Sequence, residues 1–200
     1  PEGVETVRDL TYWVLDWLEA VAVKRPLLVA ESFGGWVALD LAVDYWRDLA
    51  GLGLMAPLGV RPEGLAIPDL FRLSPGQWAD LACRSEEAAL SRRAWLESDL
   101  SLHLKRREMV ARVGWHPRLH DPKLLGRLRR IQRPTLVLWG AVDQFLSPSL
   151  AEHLRLALPQ AKVAYVPEGG HAMAYERPEE LEAVLGQWWG ELGPRVGEGA

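Results

Sequence analysis

Leu27-Leu28-Val29-Ala30 is a short apolar run without the polar alternation of a half-exposed strand. Such a run suits a parallel strand covered on both faces. Leu52 to Met55 and Thr135 to Trp139 are further strand-like runs, and Lys162 to Val166 makes a fourth. Helical patterns separate them. From Val4 to Val23 apolar residues recur at helical spacing, Thr6 to Asp9 supply polar groups for the first turn, and Arg25-Pro26 ends the pattern. Trp36 to Tyr45 reads as a second helix, after a turn over Glu31 to Gly35. Ser147 to Leu158 (with Pro148 in its first turn) and Pro178 to Trp189 read as further helices. The order helix, strand, helix, strand predicts the α/β class, with a parallel sheet of about four strands flanked by helices.

Between Arg61 and about Arg130 the character changes. Pro62, Pro68 and Pro75 punctuate its start, and patterns rich in Arg, Glu, Leu and Trp follow with no convincing strand. The expected organisation is therefore an α/β core over residues 1–60 and 130–194, interrupted by a helical insertion over 61–129. The Gly-rich tail from Gly190 is expected to fray.

Composition narrows the classes of function. The 200 residues are 48% apolar and 25% charged, enough for one sizeable core and unlike a disordered or fibrous chain. A net charge of −4 gives no footprint for nucleic acid, and the basic stretch Arg127 to Arg133 is short enough to be a solvated helix face. No apolar run approaches the ~18 residues that span a bilayer. Pro1-Glu2-Gly3 has neither the basic nor the apolar region of a signal peptide, so a cytoplasmic location is expected. Cys83, the one cysteine, excludes an internal disulfide and a Cys-rich zinc site. There is no Asn, and Arg outnumbers Lys 19 to 4. The missing amides fit a hot-living source, although a GC-rich genome produces the same arginine bias.

Three loops carry chemistry. In Ala30-Glu31-Ser32-Phe33-Gly34-Gly35 a serine lies between a strand and a helix, with small residues two before and two after it. A nucleophile on a very tight strand-to-helix turn requires this pattern: the turn strains the serine backbone and lifts its hydroxyl above the sheet. The helix that follows aims its first N–H groups at any anion formed there. The plain alternative is a Ser-Gly-Gly turn capping a helix. Asp143 follows the third strand, on the edge of the sheet where sites in open α/β folds occur, or else is a solvated loop acid. His171, after the fourth strand, sits in the glycine-bearing loop Gly169-Gly170-His171. A lone loop histidine is usually incidental. Ser32, Asp143 and His171 in that order, each beyond the carboxyl end of its own strand, outweigh the separate readings.

On these residues, with Pro134 to Asp143 and Glu176-Arg177-Pro178-Glu179, the chain from Thr6 to Trp189 resembles the α/β-hydrolase family, whose triad has this chain order. The resemblance implies a partial α/β-hydrolase fold, with the insertion in the position of the family's cap. It implies Ser32 as nucleophile, His171 as base, Asp143 as the acid that orients it, and the Phe33 N–H as an oxyanion donor. No cofactor is implied and the expected partner is a small acyl or carbonyl substrate. The strand before the insertion ends in Met55-Ala56-Pro57-Leu58, with no carboxylate to compete with Asp143. Ala30 stands where the family usually has glycine. Related proteins carry strands before the first helix of this sequence, with a loop that supplies a second oxyanion donor. Leu27 to Ala30 is then expected to lie on an uncharged sheet edge, which natural proteins avoid. That implies a missing N-terminal segment or pairing with another copy.

The expected activity is a serine hydrolase that cleaves an ester or similar carbonyl through an acyl-enzyme. Alternatives are hydrolysis of a carbon–carbon bond beside a carbonyl, and a non-catalytic relative that binds a partner and lacks a complete oxyanion hole. Two further features weigh little. His116 and His120 have half a metal site's spacing, but Pro117 and Pro122 argue against a regular helix and no acid completes the set. Trp78, Trp95 and Trp115 either line an apolar pocket or pack the insertion's helices, and packing is the favoured reading.

Overall fold

The computed structural model describes residues 3–192. Its helices and strands run in the order α1 (Val7–Ala20), β1 (Leu27–Glu31), α2 (Ser32–Tyr45), β2 (Gly51–Met55), α3 (Pro75–Ala82), α4 (Glu86–Ser98), α5 (Leu100–Gly114), α6 (Leu124–Arg127), β3 (Thr135–Gly140), α7 (Leu150–Ala157), β4 (Ala161–Val166), α8 (Met173–Glu176) and α9 (Pro178–Glu191). The four strands form one parallel sheet in the order β1-β2-β3-β4. The fold class is the one expected from the sequence. No helix among the described residues is long and apolar enough to cross a membrane.

The centre of the sheet is fully covered. Every residue of β2 and β3 is buried, which their unalternating apolar sequences require. α2 packs its buried Trp36, Leu39 and Leu41 into the same core as Leu52, Leu54, Leu136 and Leu138. β1 lies at the edge, and Val29 is 46% exposed. It is covered less fully than an apolar run in a parallel sheet leads one to expect.

Helix ends show where local chemistry decides. Thr6 and Asp9 form a reciprocal capping box that starts α1 at Val7, three residues later than the apolar spacing begins. α2 starts at Ser32 itself, so the expected turn over Glu31 to Gly35 is already helix. α7 starts at Leu150, leaving Pro148 in the preceding turn and not inside the helix. Pro178 opens α9 as expected, and that helix continues to Glu191, past the expected fraying point at Gly190. The rest of the expected tail, 193–200, lies outside the described residues.

Between β2 and β3 the chain forms α3 to α6 and short 3-10 turns, with no strand beyond a single bridge of Gly59 to His120. Ser74 and Gln77 box the start of α3, and Ser85 caps α4. This segment lies over the carboxyl ends of the strands. Ala82 accepts a hydrogen bond from the N–H of Ala172, in the loop after β4.

Candidate active site

The turn from β1 into α2 places a hydroxyl where the sheet ends. Ser32 has φ of +51°, in the left-handed region that non-glycine residues avoid. The conformation is held from both sides: the Ser32 carbonyl accepts from Leu58 N–H at 2.9 Å, and Gly35 packs against Pro57. The strain expected of a nucleophile turn is thus present. Its steric cause differs from the expected one. A Cβ on Gly34 would lie 4.0 Å from Ala30 Cβ, an ordinary contact, whereas one on Gly35 would meet Pro57 Cβ at 2.6 Å. The essential small residue is the third after Ser32, where α2 crosses the segment following β2.

The carboxyl ends of β3 and β4 supply the other two groups. Ser32 Oγ lies 2.9 Å from His171 Nε2, and His171 Nδ1 lies 2.9 Å from Asp143 Oδ2. The other oxygen of Asp143 accepts from the N–H groups of Phe145 and Leu146, at 2.8 and 2.9 Å. Both carboxylate oxygens are therefore satisfied although the side chain is wholly buried, which an ionised acid needs away from water. The Asp143 contact assigns the proton of a neutral imidazole to Nδ1 and leaves Nε2 free to accept the serine proton. Phe145 and Trp78 pack edge-on against the imidazole, with centroids 4.8 and 5.6 Å away, and keep water from its flanks. Phe33 follows Ser32 in the first turn of α2, where helix N–H groups have no partner within the helix.

Two acids at this site lie inside the motifs quoted above, but the sequence assigns neither a role. Glu176, in α8, accepts from Gly170 N–H at 3.1 Å and from the N–H groups of Arg84 and Ser85, at 2.5 and 3.0 Å. It ties the loop that carries His171 to the α3–α4 junction. Glu31, beside Ser32, has one buried oxygen without a partner, and burial pushes its carboxyl above the ordinary range, against the pull of His171 and Arg92.

A cleft of about 310 Å³ opens over Ser32, lined below by Phe33 and Leu58 and above by residues of α3 to α5. Trp78 and Trp95 line it, so the packing role favoured for the insertion's tryptophans gives way to a place at the cleft for these two. Trp115 is half exposed and stacks under the Arg118 guanidinium, 4.0 Å from its ring. His116 and His120 are not part of any cluster with metal-binding geometry: among the described residues no group of three His, Cys, Asp or Glu side chains has it. His120 Nδ1 contacts the Arg118 carbonyl instead.

Comparison with known proteins agrees with this architecture. The model of the Alpha/beta hydrolase family matches residues 1–184. A pimeloyl-[acyl-carrier protein] methyl ester esterase of Aromatoleum aromaticum is 25% identical over 201 residues, covering 84% of this chain and 77% of the relative. A 2-hydroxy-6-oxononadienedioate/2-hydroxy-6-oxononatrienedioate hydrolase of Paraburkholderia phymatum is 24% identical over 189 residues, covering 87% of this chain and 65% of the relative. Among solved structures, a bacterial membrane phospholipase A superposes with a TM-score of 0.81 at 22% identity, covering 96% of this chain and 66% of that one. The chain thus spans about two thirds to three quarters of the length of these relatives.

Proposed function

The chain belongs to the α/β-hydrolase family, and from that premise we propose that it is a serine hydrolase of an ester or similar carbonyl, working through Ser32, His171 and Asp143. The observation that supports this reading is the continuous hydrogen-bonded series from the Ser32 hydroxyl through the His171 ring to Asp143, with 2.9 Å at each step. A serine hydroxyl is a weak nucleophile at neutral pH. His171 Nε2 takes its proton as Ser32 Oγ adds to the carbonyl carbon, and Asp143 holds Nδ1–H and stabilises the imidazolium. The carbonyl oxygen becomes an oxyanion beside the Phe33 N–H at the positive end of α2. As the intermediate collapses, His171 returns the proton to the departing alkoxide, leaving an acyl group on Ser32. A water molecule, deprotonated by the same imidazole, then releases the acid and restores the serine.

Similarity to a hydrolase of an oxo-dienedioate favours a second reading, in which the bond cleaved is carbon–carbon beside a carbonyl. A third reading, binding without turnover, predicts an inert serine. Labelling with a fluorophosphonate probe separates these. Adduct formation at Ser32, lost on heat denaturation and in Ser32→Ala, is the expected result for either enzyme, and absence of labelling overturns both. Turnover of p-nitrophenyl esters of graded length, but not of a vinylogous diketone, then selects the ester reading.

A further inference from the structure

The cleft over Ser32 is apolar in its body and cationic along one wall. Leu58, Phe71, Trp78, Leu96 and Val110 form the body. α4 and α5 contribute Arg92, Arg106 and Arg107 together with His103, while Glu31 is the one acid in the lining. Among the described residues none of the three arginines is paired with a carboxylate. Glu31, whose carboxyl burial pushes above its ordinary range against the pull of Arg92, leaves the cations of this wall in excess. Three positive charges in the wall of an apolar hollow raise the potential inside it, with the Arg92 guanidinium also lying 5.6 Å from the centre of the Tyr175 ring.

The polar atoms repeat the message independently of charge. His103 is 8% exposed, and its Nε2 is buried without a partner. Arg92 Nε is likewise buried and unpartnered. Burial, with Arg107 and Arg106 behind it, lowers the proton affinity of His103 and favours the neutral ring, which still has one N–H to give. Arg107 has other work: its guanidinium holds the carbonyls of Leu70 and Leu73 at 2.9 and 2.5 Å. Arg106 is exposed and lies over the Trp95 ring, 5.2 Å from its centre, at the mouth. Buried donors without acceptors are uncommon in folded proteins, and here they share a wall with unpaired cations.

We propose that the cleft selects ester substrates whose apolar chain carries a carboxylate, with Arg92 and His103 donating to that carboxylate and Arg106 facing it from the mouth. The proposal rests on the ester-hydrolase reading of Ser32 and names the substrate class of that site. The cleft, about 310 Å³, has room for a short or medium chain.

The test compares four esters in two pairs: mono-p-nitrophenyl adipate, with the carboxylate on the acyl side, against p-nitrophenyl hexanoate, and 4-(hexanoyloxy)benzoate, with it on the alcohol side, against phenyl hexanoate. Charge-assisted hydrogen bonds give an expected tenfold to hundredfold higher kcat/KM, against its uncharged counterpart, for whichever charged ester places its anion in the cleft. Arg92→Gln and Arg106→Gln should each shrink the preference severalfold, and the exposed position of Arg106 makes its variant safe for folding. Calorimetric titration of the Ser32→Ala protein with hexanoate and hexanamide gives a readout without turnover, and hexanoate should bind at least tenfold tighter. Equal kcat/KM for charged and uncharged esters, or equal binding of acid and amide, overturns the anion site while leaving the hydrolase reading intact. Selective hexanoate binding with no ester turned over and no fluorophosphonate adduct has the opposite meaning: the anion site stands and the hydrolase reading falls.

Discussion

Gly140, the last residue of β3, lies so close beneath the loop after β4 that a Cβ built on it would meet the Gly169 carbonyl oxygen at 2.3 Å. The Gly170 carbonyl oxygen would be equally near, and both are backbone atoms that cannot swing aside. This loop carries His171, so Gly140→Ala moves the imidazole relative to Ser32. A displacement of about 1 Å in a positioned catalytic group costs on the order of a hundredfold in rate. Overpacking adds a stability loss of about 1–3 kcal/mol. Ester turnover and thermal melting measure the two effects. A folded variant with kcat/KM within threefold of the parent would show that the loop adapts without moving the ring.

The neighbouring glycines of the Ser32 turn should behave differently from one another. Gly35→Ala drives a Cβ to 2.6 Å from Pro57 Cβ and 2.9 Å from its Cα, so the crossing of α2 over that segment must open. A loss of about 1–3 kcal/mol is expected in denaturant unfolding. Gly34→Ala meets only Ala30, at ordinary contact, and gains helix propensity, so its stability should stay within about 1 kcal/mol of the parent. Equal losses at both positions would mean that Pro57 is not what limits the turn.

Glu31 makes stability depend on pH in a stated direction. Burial raises its affinity for a proton in the folded protein, so between the ordinary glutamate pKa of about 4.3 and the raised value the folded state binds more protons than the unfolded one. Stability therefore falls as pH rises through that window and then levels off. Glu31→Gln removes this loss. Its melting temperature relative to the parent should be higher at pH 8 than at pH 4. Asp40, also pushed up by burial, titrates in both proteins and cancels in the difference. A difference between the two proteins that stays constant from pH 4 to pH 8 would contradict the assignment.

What the sequence disclosed follows from how far each interaction reaches. Ser32, Asp143 and His171 are legible because each stands just past a strand of its own, and a parallel sheet brings all such positions to one edge. The φ of Ser32 is legible because strand, serine and helix leave no room for an extended turn. The Gly35–Pro57 contact, the partners of Glu176 and the unpaired Nε2 of His103 depend on segments brought together only by folding. No periodicity encodes them. α8, with four residues, is shorter than any helical repeat can reveal. The place of Trp78 beside the site is hidden for the same reason, since its neighbour at 4.7 Å is Phe145, 67 positions along the chain.

Glu176 offers the clearest test of how the insertion is coupled to the site. Its carboxylate accepts the N–H groups of Gly170, Arg84 and Ser85, and so joins the loop before His171 to the turn between α3 and α4. Hydrogen bonds to a charged acceptor contribute about 1.5–3 kcal/mol each in favourable settings, but these three share one side chain and partly exposed surroundings. Glu176→Ala is therefore expected to cost about 2–3 kcal/mol in total. It should also free the α3–α4 turn, so that trypsin nicks the native protein after Arg84 many times faster than in the parent. Turnover should fall with it, because the Gly170 N–H no longer fixes the approach to His171. Glu168→Ala is the matched control: that carboxylate is 84% exposed and meets Arg177 only at 3.4 Å, so stability should change by less than about 0.5 kcal/mol. If both variants melt together with the parent and neither is nicked at Arg84, the insertion is held over Ser32 by apolar packing alone.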